Sequence, residues 1–171
     1  MLYKLQLWSH TRGSWQILFL SAAMLIGAAL AFQHLLGHAP CVMCIYQRTA
    51  VFGILLAAFL PMLHNTFLVR IVAYAIWGTS AVKGFVLSSE HKDILFSENS
   101  FLVPCPVEPE FPSVLPLHEW LPDIFAAPGS CLENTWQFIG MGMAEWMQII
   151  FAMYIAAFVV FFVAQFVSNK R

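Results

Sequence analysis

Charge is what this chain has least of: Lys, Arg, Asp and Glu make up 10% of its 171 residues, while 60% are hydrophobic. A soluble domain of this length could not bury so much apolar surface, which excludes an ordinary water-soluble fold and points to an integral membrane protein. Acidic side chains are missing altogether outside one stretch, since all nine fall between Glu90 and Glu145. That stretch contains a single basic residue, Lys92, and its charge has the wrong sign for nucleic acid. No Gly-rich phosphate loop, Ser/His/Asp constellation, internal repeat or low-complexity tract is present, so nucleotide and serine-hydrolase chemistry find no support. Cysteine is scarce as well, with four residues, Cys41, Cys44, Cys105 and Cys131.

Crossing a bilayer as helix takes roughly 20 apolar residues, and four runs qualify: 15–36, 42–63, 67–87 and 146–167. Residues 88–145 form the one long connection of what reads as a single four-span membrane domain, 1–171. Small residues at Ala29-Leu30-Ala31 would suit a signal peptidase, but the run around them is longer than the ~7–15 residues of a signal core. Basic residues cluster before the first span (Lys4, Arg12) and after the last (Lys170, Arg171). Because Lys and Arg mark the cytoplasmic side, both termini and the His64-Asn65-Thr66 turn are expected inside, with the acidic loop outside. All four cysteines then face the same, disulfide-permissive space.

The expected fold is therefore all-α, an integral membrane four-helix bundle with a long, largely irregular periplasmic loop. Seven prolines, at 104, 106, 109, 112, 116, 122 and 128, argue against extended helix or sheet in that loop and for a mobile one. One stretch differs: Leu115, Leu117, Trp120, Leu121, Ile124 and Phe125 interleave with His118, Glu119 and Asp123, the pattern of a short interfacial helix.

Cys41-Val-Met-Cys44 opens the second span directly after Pro40. Two thiols at this spacing can close a small disulfide ring, and the free N–H groups and dipole of a helix start favour the reactive thiolate. Zinc binding is the competing use of Cys-x-x-Cys, but the 25 residues between Cys105 and Cys131 do not make a zinc-ribbon spacing, and no metal is expected. Arg48 stands four residues after Cys44, on the same helix face and about 10 Å deeper than Cys41 by helical rise. An arginine within a span costs roughly 2.5–3.5 kcal/mol on insertion scales, so it should have a task; one is to hydrogen-bond a quinone carbonyl, and the bland alternative is that it snorkels to the surface. Pro104-Cys105-Pro106 reads as an extended, accessible half-cystine and Gly129-Ser130-Cys131 as a turn; a static staple of the loop fits these two equally well. His91, beside Glu90 where the third span ends, is a candidate proton acceptor or quinone hydrogen-bond donor. Gln33, His34 and Lys83 are weaker candidates for the same neighbourhood, with interface anchoring as the competing reading of each.

Taken together, Phe32-Gln33-His34, Pro40-Cys41-Val42-Met43-Cys44-Ile45-Tyr46, Arg48, Glu90-His91, the Cys105/Cys131 pair and Trp136 resemble the disulfide bond formation protein B family of the bacterial inner membrane. The resemblance spans nearly the whole chain. It implies a thiol:quinone oxidoreductase that reoxidises a periplasmic thioredoxin-fold disulfide oxidase (DsbA-like). It further implies that the partner attacks a Cys105–Cys131 disulfide through Cys105, that Cys131 exchanges with Cys41, and that the Cys41/Cys44 pair delivers electrons to ubiquinone or menaquinone near Arg48. Gln47 stands where members of that family often carry an acidic residue, and Cys105 is followed by proline. Two other readings compete: a vitamin K epoxide reductase-like enzyme, in which the redox motif is expected late in the chain, and a tetraspan structural protein with static disulfides.

Overall fold

A computed structural model describes residues 7–8, 11–96, 108–112, 116–131 and 136–165. Its frame is four long helices: α1 (Arg12–His34), α2 (Val42–Leu63), α3 (Phe67–Phe96) and α6 (Met143–Gln165). Each is long and apolar enough to cross a membrane. Between α3 and α6 lie two single-turn helices, α4 (Leu117–Trp120) and α5 (Pro122–Phe125), and a hairpin of two-residue strands, β1 (Gln137–Phe138) and β2 (Met141–Gly142). The bundle is thus all-α apart from this small hairpin, whose turn residues Ile139 and Gly140 both have positive φ as a tight two-residue turn requires.

α3 departs from the expected span by continuing past Leu87 to Phe96. At 30 residues it measures about 45 Å, well over the ~30 Å hydrocarbon core. Hydropathy drops at Ser88, but no Gly or Pro follows before Phe96 to stop the helix. Its last turns therefore carry Ser88, Glu90, His91 and Lys92 out of the apolar zone on a rigid support.

α2 sits centrally against α1 and α3, and α3 also packs on α6. Small residues permit close approach, as between membrane helices generally: Ala22, Ala57, Ala58, Ala73 and Ala81 are fully buried. Gly84 lies so near the Phe151 ring that a Cβ there would come within 2.1 Å of it. Near the end of the bundle where α1 begins and α6 ends, Trp15, Tyr74, Trp77, Phe158 and Phe161 form one aromatic cluster. α1 and α6 touch little, Ser21 and Tyr154 sharing a 3.0 Å hydrogen bond beside a cavity of about 630 Å³.

The described parts of the long connection are docked on the bundle, the proline-punctuated stretch around 117–125 among them. The Tyr46 hydroxyl accepts a hydrogen bond from the Glu110 amide at 2.8 Å, and Phe111 packs on Tyr46, His118 and Phe125. Phe125 in turn meets Phe52 of α2. Proline forbids long helices here but does not forbid aromatic anchoring.

Candidate functional site

The turn between α1 and α2 builds the site. Gly37, with φ +68°, reverses the chain after α1, and the His38 amide reaches back to the Phe32 carbonyl at 3.1 Å. Cys41 is then the N-cap of α2, with its Sγ accepting from the Cys44 amide at 3.3 Å. A cap sulfur placed this way sits among the unpaired N–H groups of the helix start. Pro40 lies one residue before the cap. The Cys41 and Cys44 sulfurs are 2.7 Å apart and both thiols are free. Sharing a proton with Cys44, and then burial, push the Cys41 thiol well above the ordinary thiol range.

His91 comes to this pair from the projecting turns of α3. Only 5% exposed, it places Nε2 3.7 Å from Cys41 Sγ, while the side-chain amide of Gln47, 2% exposed, lies 3.3 Å from Nδ1. The backbone of Cys131 is a further hydrogen-bond partner of the His91 ring. Cys131 itself is buried and disulfide-bonded, and it shares an apolar cluster with Cys41, Met43 and Ile94. What brings it there is backbone docking: the Gly129 amide donates to the Pro40 carbonyl at 3.0 Å. A side chain at 129 would stand 2.3 Å from the Ala39 carbonyl oxygen, so this approach requires glycine. Cys105, with the Pro104–Pro106 stretch, lies outside the described residues.

Arg48 does not snorkel. It is 6% exposed and held inside the protein, donating through one terminal nitrogen to Gln33 Oε1 at 2.8 Å and to the Ile124 carbonyl of α5. The Gln33 amide nitrogen donates to the Asp123 carbonyl at 2.9 Å, and His34 bonds the same oxygen at 3.1 Å. The short helix foreseen at the interface is thus the lid over Arg48. Arg48 Nε is buried without a partner among the described residues.

Cys41, Cys44, Gln47, Arg48 and His91 form the polar wall of a cavity of about 230 Å³. Its other walls come from Phe32 and Ile26 of α1, from Trp136 just before β1, and from Met143, Trp146 and Met147 at the start of α6. Gln33 is not on this wall; it reaches the site only through Arg48. Lys83 is exposed on α3, away from the cavity. The sequence marked Gln47 only as a departure from the family pattern, with no role in the site, and did not mark Met143, Trp146 and Met147 of α6. Gln47 was within reach, since Cys44, Gln47 and Arg48 follow the three- and four-residue spacing of one helix face, whereas no local pattern marks the α6 residues.

The chain is similar along almost its full length to curated bacterial proteins named "Disulfide bond formation protein B". It is 45% identical to the one from Pseudoalteromonas atlantica over 95% of each chain. Identity to that of Shewanella amazonensis is 46%, over 91% of this chain and 92% of the relative. For Pasteurella multocida it is 42%, over 92% and 88% respectively. The family model described as "Disulfide bond formation protein DsbB" matches residues 11–161. With this family shown, the static scaffold gives way to a disulfide-forming oxidoreductase. With this match over residues 11–161 and these identities over most of its length, the chain belongs to the DsbB family of inner-membrane disulfide bond formation proteins.

Proposed function

We propose that the protein is a thiol:quinone oxidoreductase that reoxidises a thioredoxin-fold disulfide oxidase on the outer face of the inner membrane. The observation that carries this reading is the placement of Cys131, in a disulfide, within the same buried cluster as the free Cys41. A thiol pair and a disulfide packed this closely can exchange with one another directly. In the exchange, a thiolate of the soluble partner attacks Cys105 and displaces the Cys131 thiolate. Cys131 then attacks Cys41 of a Cys41–Cys44 disulfide, forming Cys131–Cys41 and releasing the Cys44 thiolate. The partner's second thiol expels Cys105, which attacks Cys131; the Cys105–Cys131 disulfide re-forms, and two electrons stay on Cys41 and Cys44.

The 230 Å³ cavity suits a quinone ring: apolar and aromatic walls, with Arg48, His91 and the thiols at one side and an unused Arg48 Nε donor in the wall. Ubiquinone or menaquinone bound there supplies a sink for two electrons and two protons. Toward it Cys44 presents its sulfur, Arg48 presents fixed positive charge where negative charge develops, and His91 stands ready to pass a proton. Gln33 and α5 hold Arg48 in place. Both termini lie in the cytoplasm on this reading, because the basic residues flank them.

The test is to mix purified protein with a reduced thioredoxin-fold oxidase and ubiquinone-1 and follow quinone absorbance. One quinone should be consumed per partner disulfide formed, and none with Cys44→Ser. Partner oxidation without quinone loss would overturn the proposal.

A further inference from the structure

We propose that the reduced Cys41/Cys44 pair and His91 form a binding site for a soft divalent transition metal, zinc foremost, which holds the pair in its dithiol state. The inference goes beyond the quinone reading and needs only that the pair be reducible. Cys41 Sγ, Cys44 Sγ and a His91 ring nitrogen all lie within 4.8 Å of one another. A tetrahedral zinc with bonds of about 2.3 Å to sulfur and 2.0–2.1 Å to nitrogen sets its S···N edge near 3.6 Å and its S···S edge near 3.8 Å. The Cys41 Sγ to His91 Nε2 distance is 3.7 Å, so that edge already exists. The sulfurs, at 2.7 Å, need to separate by about 1 Å, and Cys44 has room to turn because it borders the cavity. The same cavity leaves a fourth position open for water.

Two further features suit a metal. Ligating histidines use their second nitrogen on an outer partner that fixes the ring, and Gln47 stands 3.3 Å from His91 Nδ1. Turning the Gln47 amide end for end presents its oxygen to an Nδ1–H and leaves Nε2 to the metal, whose bond takes the place of any the ring makes there with the Cys131 backbone. The charge also balances: Zn²⁺ and two thiolates make a neutral centre in a buried place, with the two thiol protons released to water. No electrons move. A disulfide offers no thiolate, so the metal selects the reduced pair, and while bound it blocks both sulfur exchange and electron delivery.

The experiment uses the full chain in detergent micelles with Cys105→Ser and Cys131→Ser, leaving Cys41 and Cys44 as its only thiols. The reduced protein is freed of reductant without oxygen and titrated with Co²⁺. One equivalent should give thiolate-to-cobalt charge-transfer bands and the intense visible bands of a tetrahedral site, both erased by Zn²⁺. His91→Ala should weaken binding by more than the roughly 10–100-fold that loss of an outer partner costs, and Gln47→Glu should tighten it about tenfold. X-ray absorption of the zinc-loaded protein, which needs no change at His91, should show two sulfurs and one imidazole. Absent charge-transfer bands, equal binding to the oxidised pair, or a zinc shell without imidazole would each overturn the proposal. The quinone assay contains no metal, so its outcome is separate.

Discussion

Arg48 shows what a single residue discloses in sequence and what it conceals. Its cost inside a span and its spacing from Cys44 mark it for a task before any coordinates exist. Its actual neighbours, Gln33 of α1 and Ile124 of α5, come from segments 15 and 76 positions away, which no local spacing encodes. Gln47 was legible only as an oddity and became, in the structure, the side chain that orients His91. On the proposed function, Arg48→Met removes a charge-assisted hydrogen bond worth about 1.5–3 kcal/mol. The quinone KM should rise roughly 10–100-fold, while exchange between the two cysteine couples, followed by thiol trapping, keeps its rate. An unchanged KM would take Arg48 out of the quinone site.

Elements were read well where hydropathy and helix coincide and less well where they part. The four spans follow from apolar run length, because lipid demands both an apolar surface and an internally bonded backbone. The extra turns of α3 were not visible, since helix continues as long as nothing stops it, and these turns carry His91 to Cys41. Backbone docking of residues 129–131 on 39–41 was equally hidden, being a contact between two irregular segments. It predicts that Gly129→Ala, whose Cβ would stand 2.3 Å from the Ala39 carbonyl, displaces Cys131 from Cys41. Exchange between the couples should slow on the order of 100-fold, as misplacement by about 1 Å can do. Quinone reduction by protein reduced directly at Cys41/Cys44 with a small dithiol should persist. Between helices, Gly84→Ala drives a methyl into the Phe151 ring and should destabilise the bundle by about 1–3 kcal/mol, seen as a lower Tm in detergent. Adding Phe151→Leu should recover much of that loss, and a lack of recovery would show that the α3–α6 contact is not what Gly84 protects.

For the whole molecule, the four helices place every described redox group at one end, opposite the end bearing the start of α1, the end of α6 and the 64–66 turn. Which end faces which compartment is set by charge rather than by packing, and on the topology proposed above the basic residues flanking the termini face the cytoplasm and the acidic 90–145 segment faces outward. The consequence is thermodynamic, because an outward dithiol meets an oxidising space where its partner's disulfides persist, whereas an inward one would be kept reduced by cytosolic thiols. Single-cysteine variants in a cysteine-free background resolve this with a membrane-impermeant maleimide on whole spheroplasts. Glu110→Cys, on the exposed loop docked over Tyr46, should label in intact spheroplasts; His64→Cys, exposed at the opposite end, should label only after lysis. The reverse pattern would put Cys41 and Cys44 in the cytosol, where neither the exchange with an outer-face oxidase nor the direction of electron flow proposed above could operate.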